Sequence, residues 1–230
     1  MQGARCTGVR EAGVTSGDPP MRVTGLRPDR RAPGRLIVEV DGARRASLPV
    51  EHVRALGLEV GKALSPEGAE RLDAAARADA AYRAALRLLS ARPRATRDLG
   101  QRLRAKGHPP WAVTEALGRL EVAGLLDDLQ FARHFAATRA ERGHAPARIL
   151  ADLVRYGVDR KLADRAIAEA IPVDEEALIE QARRLAEKRS RQLGKLPPEV
   201  MRRRLLGYLQ RRGFGGREAF EAVEGVLGRP

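Results

Sequence analysis

Apolar positions along this chain change their period twice. Residues 1–20 carry no periodicity and end in Asp18-Pro19-Pro20, the pattern of a disordered tail, with Met21 directly after it as a candidate start. The next stretch, MRVTGLRPDRRAPGRLIVEVDGARRASLPV, holds short β-branched runs, and Asp41-Gly42 is a two-residue hairpin signal. Strands are predicted at 22–26, 35–40 and 44–48, then a stop at Pro49 and a short helix at 51–56. So small a β element is expected to pack on the chain that comes after it. From Ser65 onward the spacing is helical to the end. Ser65 is the expected N-cap, and Pro66 the first helical position, of a helix over 66–90.

The helical part repeats. LGQRLRAKGHPPWAVTEAL, ILADLVRYGVDRKLADRAI and LLGYLQRRGFGGREAFEAV align without gaps. Leu99, Ile149 and Leu205 occupy the first apolar position, Leu103, Leu153 and Leu209 the second, and Gly107, Gly157 and Gly213 come four residues later. An apolar i, i+4 pair followed by Gly is a helix that buries one face and stops at a left-handed cap. A second helix comes after each Gly, ending near Leu117, Ile167 or Val223, and a further helix precedes each pair, at 80–90, 128–141 and 175–190. The predicted fold is therefore mainly α: three tandem three-helix modules in an elongated array, with a small N-terminal β element. The expected divisions are a tail at 1–20, the β element and short helix at 21–65, and modules at 66–126, 127–172 and 173–230.

Composition agrees with helices: aromatics are only 3% of the chain, too few for a β-sandwich core. The single cysteine, Cys6, rules out a disulfide framework and a cysteine-based metal site, and suits a reducing cytoplasm. No apolar run approaches the ~18 residues of a membrane span, and the first residues lack the apolar core of a secretory leader.

Candidate chemistry is sparse. Asp127 and Asp128 form a carboxylate pair, but no further ligands converge in the sequence. Both are read as helix starters, with Asp127 as N-cap and Gln130 returning a bond as in a capping box. His52, His108, His134 and His144 lack metal-ligand spacing. GLEVGKA at 57–63 is one residue short of a phosphate loop and ends in Ala instead of a hydroxyl residue, and GFGGRE at 213–218 fails the dinucleotide fingerprint. Trp111 could stack on a base, but packing against its module core is the expected role. No catalytic constellation, cofactor or metal is expected.

Charge is more informative. The formal net charge is +13, which calls for an anionic partner. One basic set is Arg139, Arg142, Arg148, Arg155 and Lys161. Arg148 stands in the first turn of its helix, where the dipole disfavours a cation, and this marks it as a contact candidate. A denser run holds Arg183, Arg184, Lys188, Arg189, Arg191, Lys195, Arg202, Arg203, Arg204, Arg211, Arg212 and Arg217 against only Glu187 and Glu199. These are candidates for contact with phosphates or an acidic groove, against the plainer reading of a solvated helix face.

The Gly-Leu-x-Asp-Asp-x-x-Phe-Ala pattern at 124–132, Arg142-Gly143 leading to Pro146-x-Arg148-Ile149, the spacing to Leu153 and Gly157, and Arg212-Gly213-Phe214 together resemble the RecX family. The resemblance covers about residues 80–228 and is strongest in the middle module. Ala145 departs from it, standing where family members commonly have Gly, and only a stiffer turn is expected there. The resemblance implies a non-catalytic cytoplasmic protein that binds the RecA recombinase filament on single-stranded DNA. It implies inhibition of RecA's ATPase, strand-exchange and co-protease activities, a role in recombination, DNA repair and the SOS response, and in some members direct DNA binding. The alternative from the residues alone is a stand-alone basic helical DNA-binding protein.

Overall fold

The computed structural model describes residues 21–171 and 174–228. The tail expected over 1–20 lies outside them, as does Cys6. The chain divides into two compact units at residue 76.

In the N-terminal unit, β1 (Val23–Pro28), β2 (Arg35–Val40) and β3 (Ala43–Pro49) form an antiparallel sheet in chain order. Asp41 (φ 50°) and Gly42 (φ 79°) both take left-handed conformations, as a tight hairpin turn of this hand requires. β1 runs further than 22–26 because Arg27 and Pro28 stay in register with Ile37 and Leu36. Helix α1 (Val50–Ala55) comes next. The core joins Val38, Leu48 and Val53 to Ala69 and Leu72 from the start of α2 (Pro66–Ala91), so the small sheet finds its cover as expected. Ser65 Oγ accepts the Gly68 N–H at 3.1 Å, the predicted cap.

The C-terminal unit contains three three-helix modules. The first is built from the end of α2 with α3 (Thr96–Ala105) and α4 (Pro110–Val122). The second is α5 (Asp128–Glu141), α6 (Pro146–Arg155) and α7 (Arg160–Ala170). The third is α8 (Glu175–Leu193), α9 (Pro198–Arg211) and α10 (Arg217–Leu227). The predicted apolar pairs Leu99/Leu103, Ile149/Leu153 and Leu205/Leu209 are all fully buried, each side chain stabilising the fold by roughly 1.5–3 kcal/mol. Their helices end alike. The N–H groups of His108, Val158 and Phe214 reach back to the carbonyls of Leu103, Leu153 and Leu209 at 3.1–3.2 Å, across glycines at φ 85–92°. With the glycine N–H groups donating to the carbonyls of Arg104, Val154 and Gln210 at 2.9 Å, this is the double C-terminal bond of a Schellman cap.

Two expectations are corrected. Trp111 is 44% exposed and lies outside the core. The buried stripe of α4 is Ala112, Val113, Ala116 and Leu120, and Trp111 falls off its edge at the first turn. The two aspartates start two different helices. Asp127 caps α5, accepting the N–H groups of Leu129 (2.8 Å) and Gln130 (2.9 Å), without the return bond expected from the Gln130 side chain. Asp128 instead accepts the Thr96 N–H at 2.7 Å. It thereby caps α3, whose own N-cap residue, Ala95, has no side-chain acceptor.

Candidate interaction surface at the module joints

The joints between modules are built twice by one rule. In the first two modules the second helix starts from an extended alanine whose methyl enters the core of the next module. Ala95 (φ −72°) belongs to the core of the second module, and Ala145 (φ −73°) to that of the third. Ala145 thus does more than stiffen a turn. Its negative φ makes no demand for glycine, and it is only 4% exposed. On the other side of each joint, a left-handed glycine from the next module lies against the start of that same helix. A Cβ on Gly157 would stand 2.5 Å from Arg97 Cβ, and one on Gly213 would stand 2.5 Å from Arg148 Cβ and 2.8 Å from its backbone N. At Gly107, in the first module, nothing lies within 4 Å of that position.

Beside each joint the surface is concave. The first joint holds a pocket of about 230 Å³ between the α2–α3 loop and helix α5, and the second a cleft of about 930 Å³ between the α5–α6 loop and helix α8. The helical linings are equivalent. Phe131, His134, Phe135, Thr138, Arg139 and Arg142 line the pocket, and residues fifty further on line the cleft: Gln181, Arg184, Leu185, Lys188, Arg189 and Gln192. Spacings of three and four place each set on one face of its helix.

Their chemistry differs. The cleft presents Arg142, Arg184, Lys188, Arg189 and Arg212 against the single carboxylate of Glu141. The guanidinia of Arg212 and Arg189 lie over the Tyr208 ring, 4.8 and 5.6 Å from its centroid. Arg212 also ties the joint, donating to the carbonyls of Arg142 and Gly143 while its own carbonyl accepts the Ala145 N–H at 2.8 Å. His144 faces the same cleft. Burial lowers its pKa below the ordinary imidazole value, and the nearby Arg139 and Arg212 add to the effect. Its Nδ1 is buried without a partner among the described residues.

The pocket is aromatic. Phe131 and Phe135 stack at 5.9 Å, and Tyr156 stands edge-on to both, at 6.1 and 5.5 Å. Arg139 covers Phe135 at 5.0 Å. Asp98, on the pocket wall, is committed to Arg94 (3.0 Å) and Arg102 (2.9 Å). Burial pushes its pKa up, but these two guanidinia outweigh burial and hold it below the usual carboxylate value.

The cations singled out in sequence therefore divide. Arg139, Arg142 and Arg212 come together at the joints, and Arg142 lines both concavities. Arg148 and Arg155 both pair with the buried Asp152, at 3.4 and 3.0 Å. Arg202 is tied to Glu224 at 3.1 Å inside the third module. Lys161 is exposed in the first turn of α7, and Arg203, Arg204 and Arg211 are exposed on α9; none of these four lines either concavity. The α8 cations Arg184, Lys188 and Arg189 share one helical face, a signal present in their spacing. The aromatic corner carried a weaker signal, because Phe131 and Phe135 are four apart but Tyr156 arrives from another helix.

Among the described residues no cluster of His, Cys, Asp and Glu could hold a metal ion, and no helix is long and apolar enough to cross a membrane. Three domain models of one family match the chain in order: "RecX, first three-helix domain" over 81–120, "RecX, second three-helix domain" over 127–167 and "RecX, third three-helix domain" over 175–223. A protein of Halorhodospira halophila named regulatory protein RecX is 40% identical over 144 residues, 62% of this chain and 85% of the relative. One of Amycolatopsis mediterranei with the same name is 36% identical over 141 residues, 61% of this chain and 79% of the relative. A crystal structure of regulatory protein RecX superposes with a TM-score of 0.67 at 21% identity, covering 91% of this chain and all of that one. The RecX from Lactobacillus salivarius superposes with a TM-score of 0.53 at 20% identity, over 65% of this chain and 96% of that one. The three family models cover the three modules whose joints form the two concavities, and the chain belongs to the RecX family of regulatory proteins.

Proposed function

We propose that this protein is a non-catalytic, cytoplasmic regulator that binds the RecA filament on single-stranded DNA and lowers its ATPase, strand-exchange and co-protease activities. Family membership supports the regulatory role. The observation that carries the choice of contact is the cleft at the second joint, with five cations around one carboxylate. Phosphates or an acidic protein groove would be complementary to it. Arg139, Arg142, Arg184, Lys188, Arg189 and Arg212 form the primary contact set. Arg203, Arg204, Arg211 and Lys161 are exposed cations that can add contacts around it, while Arg148, Arg155 and Arg202 act chiefly inside their modules. Inhibition results if the filament state bound here is one that cannot cycle, because a ligand shifts an equilibrium only by its differential affinity. Contacts to several protomers would act in concert.

The test is RecA ATP hydrolysis on single-stranded DNA with substoichiometric protein, beside a titration of the same DNA without RecA. Inhibition is expected at concentrations that leave the DNA uncoated. The combined variant Arg184→Ala, Lys188→Ala, Arg189→Ala should inhibit at least about tenfold less well, since charge-assisted bonds contribute about 1.5–3 kcal/mol each. Wild-type inhibition by that variant would remove the cleft from the contact. The second reading, a stand-alone DNA binder, draws on the same cations. It predicts inhibition only once the DNA is saturated, with affinity falling steeply as salt rises.

A further inference from the structure

The cleft at the second joint is cationic throughout, so its partner needs only negative charge. The pocket at the first joint asks for more. Its three rings make a corner: the Phe131 and Phe135 rings lie 30° apart, and the Tyr156 ring stands at 85° and 73° to them. A planar ring can stack on one wall of such a corner and meet the other edge-on, the two geometries that aromatic groups prefer. The Arg139 guanidinium, over Phe135, adds a positive charge to the same wall.

The pocket measures about 230 Å³, below the roughly 300–1,000 Å³ of sites for drug-sized ligands. It has room for one planar ring system. Among its lining residues, the exposed Arg92 and Arg142 have side chains that make no hydrogen bond or ion pair to any described residue. Asp98 cannot neutralise them, since Arg94 and Arg102 already hold it. A small aromatic corner with free guanidinia in its lining fits a planar group attached to an anion.

We propose that the pocket at the first joint takes one base of a single-stranded nucleic acid, with the adjoining phosphate held by Arg92 and Arg142. Arg142 also lines the cationic cleft. A strand with its base in the pocket is therefore led by one shared guanidinium toward the phosphate-seeking surface. The base is held by stacking, so the pocket tolerates any sequence. This inference extends the single-stranded DNA half of the proposed function and stands apart from its RecA half.

The experiment compares two ligands of equal length and charge, a fluorescent oligothymidylate and the corresponding abasic oligomer, with the full chain and no RecA present. The oligothymidylate is expected to bind about tenfold more tightly, the scale of one base stacked on an aromatic side chain. In Phe135→Leu, which keeps the apolar contact to the module core, that preference should fall to within about twofold while affinity for the abasic oligomer holds. Arg92→Ala, an exposed position, should weaken both ligands alike. Equal binding of the two oligomers by the wild type, or no binding of either at low salt, overturns the proposal. So does a preference retained in Phe135→Leu. If free thymidine monophosphate binds as tightly as the oligomer, the site serves a free nucleotide and the strand reading falls. Normal base preference together with failure to inhibit RecA would remove the RecA reading and leave this one intact.

Discussion

The two joints share a backbone plan and differ in what they offer a ligand. Each buries an alanine from the preceding module and sets a left-handed glycine against the next turn. Each leaves a concavity lined by the same helical positions. Where the first has Phe131, Phe135 and Tyr156, the second has Gln181, Leu185 and Arg212. The comparison separates two kinds of constraint. The packing that fixes the angle between modules is repeated with little variation, while the side chains that face outward from the same framework are free to diverge. Function in this chain is therefore to be sought in the differences between modules, and stability in their likeness.

The strongest challenge to this comparison is at the glycines. Gly213→Ala should cost about 3 kcal/mol, combining left-handed backbone strain with a clash against the backbone of Arg148. Gly157→Ala should cost somewhat less, because the atoms it meets belong to the Arg97 side chain, and Gly107→Ala about 1 kcal/mol, for strain alone. Chemical denaturation of the three variants gives the order, and equal losses would mean that the joints do not use these glycines for close approach. Next in size is Asp128→Ala, which removes the cap that the second module supplies to α3. A loss of about 1 kcal/mol is expected, with faster hydrogen exchange at the Thr96 amide. Exchange unchanged at that amide would show the cap to be idle.

Ala145→Gly sharpens the likeness between joints. Removing its methyl from the core of the third module should destabilise by about 0.8 kcal/mol, and Ala95→Gly should do the same for the second. The smallest effect is electrostatic. His144 should titrate below 6.5 by NMR, burial and the Arg139 and Arg212 charges being the causes. A histidine with a lowered folded-state pKa stabilises the neutral form. Its contribution is complete above the unfolded value near 6.5 and is lost as pH falls below it. An anion seated in the cleft should raise that pKa, whereas one confined to the first joint should leave it nearer its starting value.

Much of this fold is legible in the sequence because it rests on local signals. The Leu–x₃–Leu–x₃–Gly pattern specifies a helix, its buried face and its stop in one reading, and Asp41-Gly42 marks its hairpin through backbone conformation alone. The joints are harder to read. Asp128 looks like a partner for its own helix, and only the approach of α3 turns it into a cap for another. Trp111 is apolar and beside a helix start, yet the stripe passes it by. Arg148 is conspicuous for its dipole-opposed position, and the structure gives that position two intramolecular uses, a pair with Asp152 and a seat for Gly213. The cations of α8 have a readable common face, but nothing in their spacing says that the face turns toward the preceding module.

The buried alanines also give the chain a direction. Hydrogen bonds cross the second joint both ways, but Ala95 and Ala145 each complete the apolar core of the next module along the chain. A ribosome delivers the donor before the recipient. Each core thus meets its missing methyl already in place as it emerges, in keeping with N-terminal-first folding during synthesis. The same polarity makes the two ends unequal under trimming. Removing the third module exposes Ala145 and the groups that Arg212 and Gly213 cover, whereas removing the second leaves the third with a gap in its apolar interior.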